Sequence, residues 1–380
     1  NEFVQSSMIR FFNNEVWNST KLSNWYEKIT FNNVYISESI GIYVENKIKN
    51  IQSNIFITSH GIYSTYGPAY NEITQVKQRI VYGPNIYCIG SIQFFNNTQQ
   101  FSFNEDSLRK FLENDLTNQQ SIEADKFLSN RFQLKSKDTA VYFENNGLPE
   151  TFQLIDRKSL PGKVFAAFPN VIWDGNINER DTVFNSIRAW VIELIEHFKI
   201  NKKNSLIIRF HPAEATWMKG TVTFESTLVD ALKNICEHSN IVIISSNKSF
   251  QSYDLLKKYA DYALVYDGII ALEAPLFDVP VIFSGSGRFN VPNFGLQFNS
   301  KDEYMDYISD PFDYQFIERD KEISKKLIYY YTIYNSYYFP VLDNKFDDNS
   351  YDEGIFLRNP NLIENSSEAI YMGIKRCLEF

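Results

Sequence analysis

The side chains best suited to bind an anion or to move a proton follow predicted strands. Residues 205–210 form an apolar run that carries Arg209, and His211 and Pro212 come directly after it. The proline disfavours helix at His211, so the imidazole is held where the strand ends. Arg209 lies two residues earlier on the same face, which lets a cation and an imidazole share one phosphate or carboxylate. A core histidine beside a surface arginine fits the same spacing.

Residues 261–289 predict a strand, a tight turn, a helix and a second strand. This order is the right-handed crossover of a parallel sheet, and ligands of such sheets bind outside the carboxyl ends of the strands. Glu273 faces that edge and can accept both hydroxyls of a ribose, although a solvated helix glutamate fits equally well. The edge also carries Tyr266, Asp267, Gly268 and the loop 284–288.

The loop after the second of these strands alternates serine and glycine. It reads Ser284, Gly285, Ser286 and Gly287. Backbone N–H groups of such a loop can cradle a phosphate. Glycines after a strand also serve simply to turn the chain, so the pattern alone leaves both interpretations open.

Three further loops carry candidate residues. Asp174 follows an aromatic strand end and can act as a base or nucleophile toward a bound sugar, or can cap a helix. His60, in the segment HGIYSTYG, can meet an acceptor hydroxyl or hydrogen-bond its own loop. Glu144, which precedes Asn145, either contacts a ligand or is a satisfied residue at a strand end.

The elements that must position these residues predict an α/β protein. From 163 to 289 the order is βαβαβαβαβ, which is typical of a doubly wound parallel sheet. A chain of 380 residues favours two domains. We place the boundary near Pro161-Gly162 and predict an acceptor-side domain at 1–158 and a nucleotide-sugar-binding domain at 161–345. Both are expected to be Rossmann-like and to face each other across a cleft, and a last helix at 365–380 can pack back on the first.

The first half of the chain is less regular. We expect a strand at 54–59, a glycine-punctuated loop after it, and surface helices within 104–130. Further predicted elements are a helix at 71–79, strands at 80–82, 86–89 and 139–143, and a tyrosine-rich helix at 327–339.

Composition excludes several classes of protein. The net charge of −9 argues against nucleic-acid binding, which needs a clustered cationic face. Cys88, Cys236 and Cys377 have no metal-binding spacing and indicate a reducing compartment. The motifs of zinc proteases, P-loop NTPases and α/β-hydrolases are missing, and Asp347-Asp348 stands in an acidic, solvated loop rather than in a metal-binding motif. We therefore expect no metal and no cofactor.

Several segments together resemble the capsule-polysaccharide-synthesis glycosyltransferases, which include the bacterial β-Kdo transferases. The similarity covers roughly 140–310. It rests on E-N-N-G-L-P from Glu144, on R-F-H-P-A-E from Arg209 to Glu214, and on the strand–helix–strand around Glu273. Where the family often has Ser or Thr at a strand end, this chain has Asp267, an anion that would repel a phosphate and could instead bind a nucleobase amine or a sugar hydroxyl.

The resemblance implies a GT-B fold and a metal-independent transfer of sugar. It places the donor phosphate at His211, the ribose at Glu273 and catalysis at Asp174, with Arg209 and Glu214 in the same donor site and Glu144 and Asn145 on the acceptor side. The expected partners are a nucleotide-sugar donor, with CMP-linked Kdo-like ulosonic acid leading, and a glycan or glycolipid acceptor.

The expected location is the cytoplasm, with association at the inner face of the cell membrane left open. A GT-B sugar-nucleotide epimerase, a CDP-alditol phosphotransferase and a non-catalytic glycan-binding module remain alternatives.

Overall fold

A computed structural model describes the chain in two compact units. One holds residues 1–8, 19–139 and 328–380, and the other holds 9–18 and 140–327. The predicted domain boundaries and the cleft stay predictions. The residues that the structure describes are 3–4, 7–8, 23–48, 55–74, 76–85, 87–88, 90–98, 105–133, 156–171, 183–216, 223–248, 250–285, 287, 289, 291–339 and 361–378.

The described elements alternate helix and strand through most of the chain. In order they are α1 (Ser23–Ile48), β1 (Ile55–Ser59), α2 (Tyr63–Glu72), β2 (Gln78–Pro84), β3 (Ser91–Asn96), α3 (Glu105–Leu112), α4 (Asn118–Phe132), β4 (Val164–Phe168), α5 (Ile187–Ile200), β5 (Ser205–Arg209), α6 (Ala213–Thr216), α7 (Val229–Leu232), β6 (Ile241–Ile244), α8 (Ser252–Lys258), β7 (Tyr262–Val265), α9 (Ile270–Glu273), β8 (Val281–Phe283), α10 (Lys301–Ser309), α11 (Ile317–Tyr329), β9 (Ser336–Tyr338) and α12 (Asn361–Leu378). Short 3₁₀ turns occur at Arg157–Ser159, Glu225–Leu228, Ile235–Glu237 and Ala274–Phe277, and a π-helix at Tyr330–Tyr334 continues α11.

The first unit contains a mixed sheet of order β1-β2-β3-β9. β1 and β2 are parallel, whereas β3 pairs antiparallel with both β2 and β9. α12 packs against this sheet, where Cys377 joins a buried cluster with Ile80, Ile92 and Phe94. A Rossmann-like arrangement of this unit therefore stays a prediction.

The second unit contains a fully parallel sheet of order β6-β5-β4-β7-β8. The central strand β4 is buried along its whole length, as a parallel sheet covered on both faces requires. α5 lies on this sheet through Trp190, Val191 and Leu194, which are fully buried. It starts at a serine cap, since Ser186 accepts a hydrogen bond from the Ala189 N–H at 3.0 Å. The predicted doubly wound sheet is confirmed.

The predicted helix at 71–79 is wrong. The helix is α2, which ends at Glu72, and β2 begins at Gln78. The Gly67-Pro68 pair favours a loop in the sequence. In the folded chain the Phe3 ring packs directly on Gly67: a Cβ added at Gly67 would lie 2.1 Å from Phe3 Cδ1. This tertiary contact accompanies the helical conformation of the segment.

The predicted strand at 86–89 is also wrong within its described residues. Asn85 turns the chain there, because its Oδ1 accepts a hydrogen bond from the Tyr87 N–H at 2.9 Å. The strand that the prediction missed is β3. The tyrosine-rich segment is helical as far as Tyr334 and then forms β9. The predicted strand at 139–143 lies outside the described residues. No helix among the described ranges has an apolar stretch long enough to cross a membrane.

Candidate functional site

The side on which successive strands join the parallel sheet changes between β4 and β7. The connections from β4 run to β5 and β6 on one side, and β7 and β8 lie on the other. Loops leaving the carboxyl ends of β4 and β7 therefore diverge and leave a crevice, the usual ligand site of such sheets. A hydrogen bond joins these two loops, because the Asp267 N–H donates to Asn170 Oδ1 at 3.0 Å. The two loops are thus tied to each other.

Arg209 at the end of β5 is 2% exposed, so the surface-arginine alternative is wrong. Its guanidinium donates to four carbonyl oxygens, those of Phe210, Ser245, Lys248 and Phe250, at 2.8 to 3.2 Å. Burial lowers the pKa of Arg209 to about 10, which leaves it charged at neutral pH. The four bonds join the loops after β5 and β6. This arrangement favours an anchoring role over direct contact with a phosphate.

His211 follows this anchored position and is partly buried. Its Nδ1 accepts a hydrogen bond from the Ala213 N–H at 3.1 Å. Burial, assisted by the charge of Arg209, lowers the pKa of His211 to about 4. At neutral pH the ring is therefore uncharged, and its proton is on Nε2, because Nδ1 acts as the acceptor. His211 can serve as a neutral hydrogen-bond donor and not as a cation.

Glu214 ends the same motif and is 2% exposed. Its Oε2 accepts a hydrogen bond from the Phe224 N–H at 3.0 Å, whereas Oε1 is buried and has no hydrogen-bond partner. Burial raises the pKa of Glu214 to about 8, and the nearby charge of Glu225 adds to the effect. The side chain is therefore mainly a neutral carboxylic acid at pH 7, which lowers the cost of its burial.

Glu273 ends α9, the short helix after β7. It is 2% exposed, so the solvated-glutamate alternative is wrong. Its Oε1 accepts a hydrogen bond from the Tyr253 hydroxyl at 2.9 Å. Tyr253 belongs to α8, which precedes β7, so the carboxylate is held from a neighbouring helix.

The loops after β7 and β8 lie against each other. A Cβ added at Gly287 would lie 2.8 Å from both Asp267 Oδ1 and the Tyr266 carbonyl oxygen, so this contact requires a glycine. At Gly268 a Cβ would meet only ordinary contacts, the nearest being Ile270 Cγ2 at 3.5 Å. The close approach of the two loops therefore explains why residue 287 is a glycine, but it does not explain Gly268.

Tyr266 and Ser284 have structural contacts in the sheet. The ring of Tyr266 lies 5.9 Å from that of Trp190, centroid to centroid. The Ser284 hydroxyl donates to the Val265 carbonyl at 3.0 Å and is fully buried. Gly285, the next residue, is also buried. The predicted contacts of these residues with a donor stay predictions.

His60 follows β1 in the first unit, and its backbone conformation and ring contacts differ from those of His211. It adopts a left-handed backbone with φ 55°, and Gly61 and Tyr63 have φ 66° and 67°. Its ring stacks on Tyr66 with centroids 5.6 Å apart, and Nδ1 shares a hydrogen bond with the Ser59 hydroxyl. Positive φ at a non-glycine residue is strained and often accompanies function. The predicted role of His60 at an acceptor stays a prediction.

Four predicted site residues lie outside the described part of the chain. They are Asp174, Glu144, Asn145 and Ser286. Of the others, His211, Asp267 and Ser284 follow three strands of one sheet edge, which has β4 between β5 and β7. Neighbouring strands are about 4.8 Å apart, so β5 and β7 are separated by about 10 Å. His211, Asp267 and Ser284 therefore lie at one edge of this sheet, and their contact with a donor stays a prediction.

Known proteins give limited guidance. No sequence model of a protein family matches the chain, and no curated protein matches it. Among solved structures, the β-Kdo 2,7 transferase of KpsC from Thermosulfurimonas dismutans is 11% identical, with a TM-score of 0.43 over 79% of this chain and 83% of that one. The β-Kdo 2,4 transferase of the same KpsC is 11% identical, with a TM-score of 0.40 over 72% and 78%.

A putative UDP-N-acetylglucosamine 2-epimerase from Listeria monocytogenes is 12% identical, with a TM-score of 0.31 over 78% of this chain and 72% of that one. At these identities and TM-scores the likeness assigns neither a family nor an activity to this chain.

Two residues of the edge were missed from the sequence. Asn170 comes directly after Phe168-Pro169 at the end of a predicted strand, so its place at a strand end was the signal that could have found it. Tyr253 has no such signal, because its contact with Glu273 joins separate helices. Within the described ranges, no cluster of three His, Cys, Asp or Glu residues could hold a metal ion. Transfer without a metal stays a prediction.

Proposed function

We propose that the second unit binds a nucleotide-sugar donor at the carboxyl edge of its parallel sheet and that the protein is a glycosyltransferase. The observation that carries this proposal is the strand order β5-β4-β7, in which the loops after β4 and β7 are joined by the Asp267–Asn170 hydrogen bond and His211 follows β5. A nucleotide fits this place because the loops offer backbone and side-chain donors at the carboxyl ends of buried strands.

The donor phosphate is assigned to His211. Its neutral imidazole donates from Nε2 to a phosphate oxygen and stabilises the charge that develops as the glycosidic bond breaks. Arg209 acts through the loop: its four hydrogen bonds hold the backbone that presents His211. Burial, with a smaller effect of the Arg209 charge, lowers the pKa of His211 to about 4, so the imidazole stays neutral across the physiological pH range.

The other assignments complete the proposal. Glu273, held by Tyr253, lies beside the ribose, and Asp267 meets a nucleobase amine or a sugar hydroxyl. Asp174 acts at the transferred sugar, and Glu144 and Asn145 contact the acceptor. The leading donor is a CMP-linked Kdo-like ulosonic acid, and the acceptor is a growing bacterial surface polysaccharide.

Isothermal titration with CMP, UDP and CDP tests the proposal. The wild type is expected to bind at least one of them, and His211→Ala is expected to weaken that binding by roughly tenfold. His238→Ala is the matched control, because His238 precedes β6 at the opposite edge of the same sheet. Absence of nucleotide binding in the wild type, or equal losses in both variants, would contradict the donor site. Chromatography of a donor incubated without acceptor separates an epimerase, which alters the donor, from a transferase.

A further inference from the structure

The long helix α1 uses one side to pack within the first unit. Asn33 Oδ1 accepts a hydrogen bond from the Ser64 hydroxyl of α2 at 2.6 Å. Ser37 and Val44 are buried and follow Asn33 by four and eleven residues, so all three lie on one side of the helix. This side holds α1 against α2, and the opposite side of the helix is available for another contact.

The opposite side of α1 is exposed and partly apolar. Phe31, Tyr35 and Ile42 are 68%, 65% and 56% exposed, and the first two rings stack with centroids 6.4 Å apart. Three charged residues share this side, and we call the whole set the α1 stripe: Lys28, Phe31, Tyr35, Glu38, Ile42 and Glu45. Their spacing alternates between three and four residues, which is the pattern of the a and d positions in a coiled coil.

The α1 stripe is complementary to itself when two copies run antiparallel. In that arrangement an a position of one helix faces a d position of the other, and the two-fold axis passes between Ile36 and Ser37. Every residue of the stripe then meets a matching one in the second copy: Lys28 meets Glu45, Phe31 meets Ile42, and Tyr35 meets Glu38. In a parallel pair each charged residue would instead face its own copy, which would place like charges together.

A membrane surface fits the α1 stripe less well. Helices that lie on anionic membranes carry Lys and Arg on their polar face. Glu38 and Glu45 stand within the stripe itself, where an anionic surface would repel them. The charge pattern therefore favours a second protein helix over a lipid surface.

We propose that two copies of this chain associate through α1 as an antiparallel coiled coil. The helix from Lys28 to Glu45 is about 25 Å long at 1.5 Å per residue, and two of its layers join Phe31 to Ile42. An interface of this size is at the lower end of specific interfaces, so we expect a dissociation constant on the order of 10–100 µM. The proposal does not depend on the nucleotide site, because α1 belongs to the first unit.

Sedimentation equilibrium of the full chain from about 1 to about 300 µM tests the proposal, and a monomer–dimer equilibrium is expected. Ile42→Lys places a charge in both apolar layers and is expected to raise the dissociation constant at least roughly tenfold. Ile122→Lys is the matched control, because Ile122 is a 61% exposed isoleucine of α4, and it should behave as the wild type does. A monomer at every concentration, or equal effects of the two variants, would overturn the proposal.

Charge reversal tests the antiparallel register. Lys28→Glu creates two like-charge contacts and is expected to raise the dissociation constant by roughly tenfold, and adding Glu45→Lys is expected to restore it. The two residues are about 25 Å apart along one helix, so restoration requires a second copy. Failure of the second substitution to restore association would overturn the antiparallel pairing.

Vesicles of phosphatidylcholine and phosphatidylglycerol test the membrane alternative by co-sedimentation. The wild type is expected to stay in the supernatant. Binding to vesicles that Ile42→Lys abolishes, in a protein that does not self-associate, would assign the α1 stripe to a membrane surface and overturn the proposal.

Discussion

The two sheets each present a histidine where a strand ends, but they hold it in different ways. After β5, four side-chain hydrogen bonds from Arg209 anchor the loop, and His211 is fixed by the Ala213 N–H. After β1, the backbone itself takes left-handed geometry at His60, and the ring rests on exposed Tyr66. The comparison shows that a histidine's position at a strand end does not determine its protonation or its contacts. These depend on the residues that surround it in the fold.

Loss of the Arg209 anchor should have the largest effect. Arg209→Met removes the donors of four carbonyl oxygens and is expected to lower the free energy of unfolding by about 3 kcal/mol or more. Urea denaturation measures this change. Arg109→Met, which breaks only an exposed ion pair, should cost less than about 1 kcal/mol. Similar costs for the two variants would mean that the loop after β5 is no better anchored than a surface helix.

Glu214 and His211 should oppose each other in the pH dependence of stability. The pKa of Glu214 rises from 4.5 to about 8 on folding, so its contribution is complete below about pH 4.5 and is lost as the pH rises through about 8. The pKa of His211 falls from 6.5 to about 4, so its contribution is present above about pH 6.5 and is lost as the pH falls toward 4.

Glu214→Gln keeps the neutral shape and removes the ionisation. Between about pH 6.5 and pH 8 the wild type is expected to lose stability, on the order of a few kcal/mol, and the variant is expected to stay level. Chemical denaturation across this range measures the difference. Exposed Glu237→Gln should follow the wild type. A parallel decline in Glu214→Gln would show that this carboxyl is not the group responsible.

The contact between the loops after β7 and β8 can be tested with two glycines. Gly287→Ala places a methyl group 2.8 Å from Asp267 Oδ1 and is expected to cost about 1–3 kcal/mol of stability. Gly268→Ala, whose Cβ has room, should change stability by less than about 0.5 kcal/mol. Thermal unfolding of both variants measures these changes. Equal decreases in the midpoint temperature would argue against the close approach of the two loops at Gly287.

Substitution of His211 and of His60 should have different effects on the affinity for a nucleotide. His211→Ala is expected to raise the Kd for CMP by about tenfold, and by the same ratio at about pH 5.5 and about pH 8, because the imidazole is neutral at both. His60→Ala should leave the Kd unchanged, because His60 belongs to the other unit. A ratio that falls as the pH rises through 6.5 would indicate that an imidazolium binds the phosphate instead.

The parallel sheet was predictable because its strands are short apolar runs bounded by polar residues, Gly or Pro. The position of His211 followed from the proline after it. The burial of Arg209 did not, since its partners Ser245, Lys248 and Phe250 belong to the next strand's loop. A cation at a strand end has the same sequence pattern whether it is exposed or anchored.

The first unit was harder to predict because tertiary contacts override its local signals. Gly67-Pro68 favours a loop, yet the segment is helical with Phe3, 64 residues earlier, packed on it. β3 joins a sheet whose last strand, β9, comes some 240 residues later in the chain, and no local pattern announces that pairing.

A crystal structure with CMP soaked in tests the central claim most directly. The account predicts a nucleotide at the carboxyl edge of β4 and β7, with a phosphate oxygen within hydrogen-bond distance of His211 Nε2 and the ribose beside Glu273. A nucleotide bound elsewhere, or a fully occupied site in which His211 contacts neither phosphate nor sugar, would contradict it.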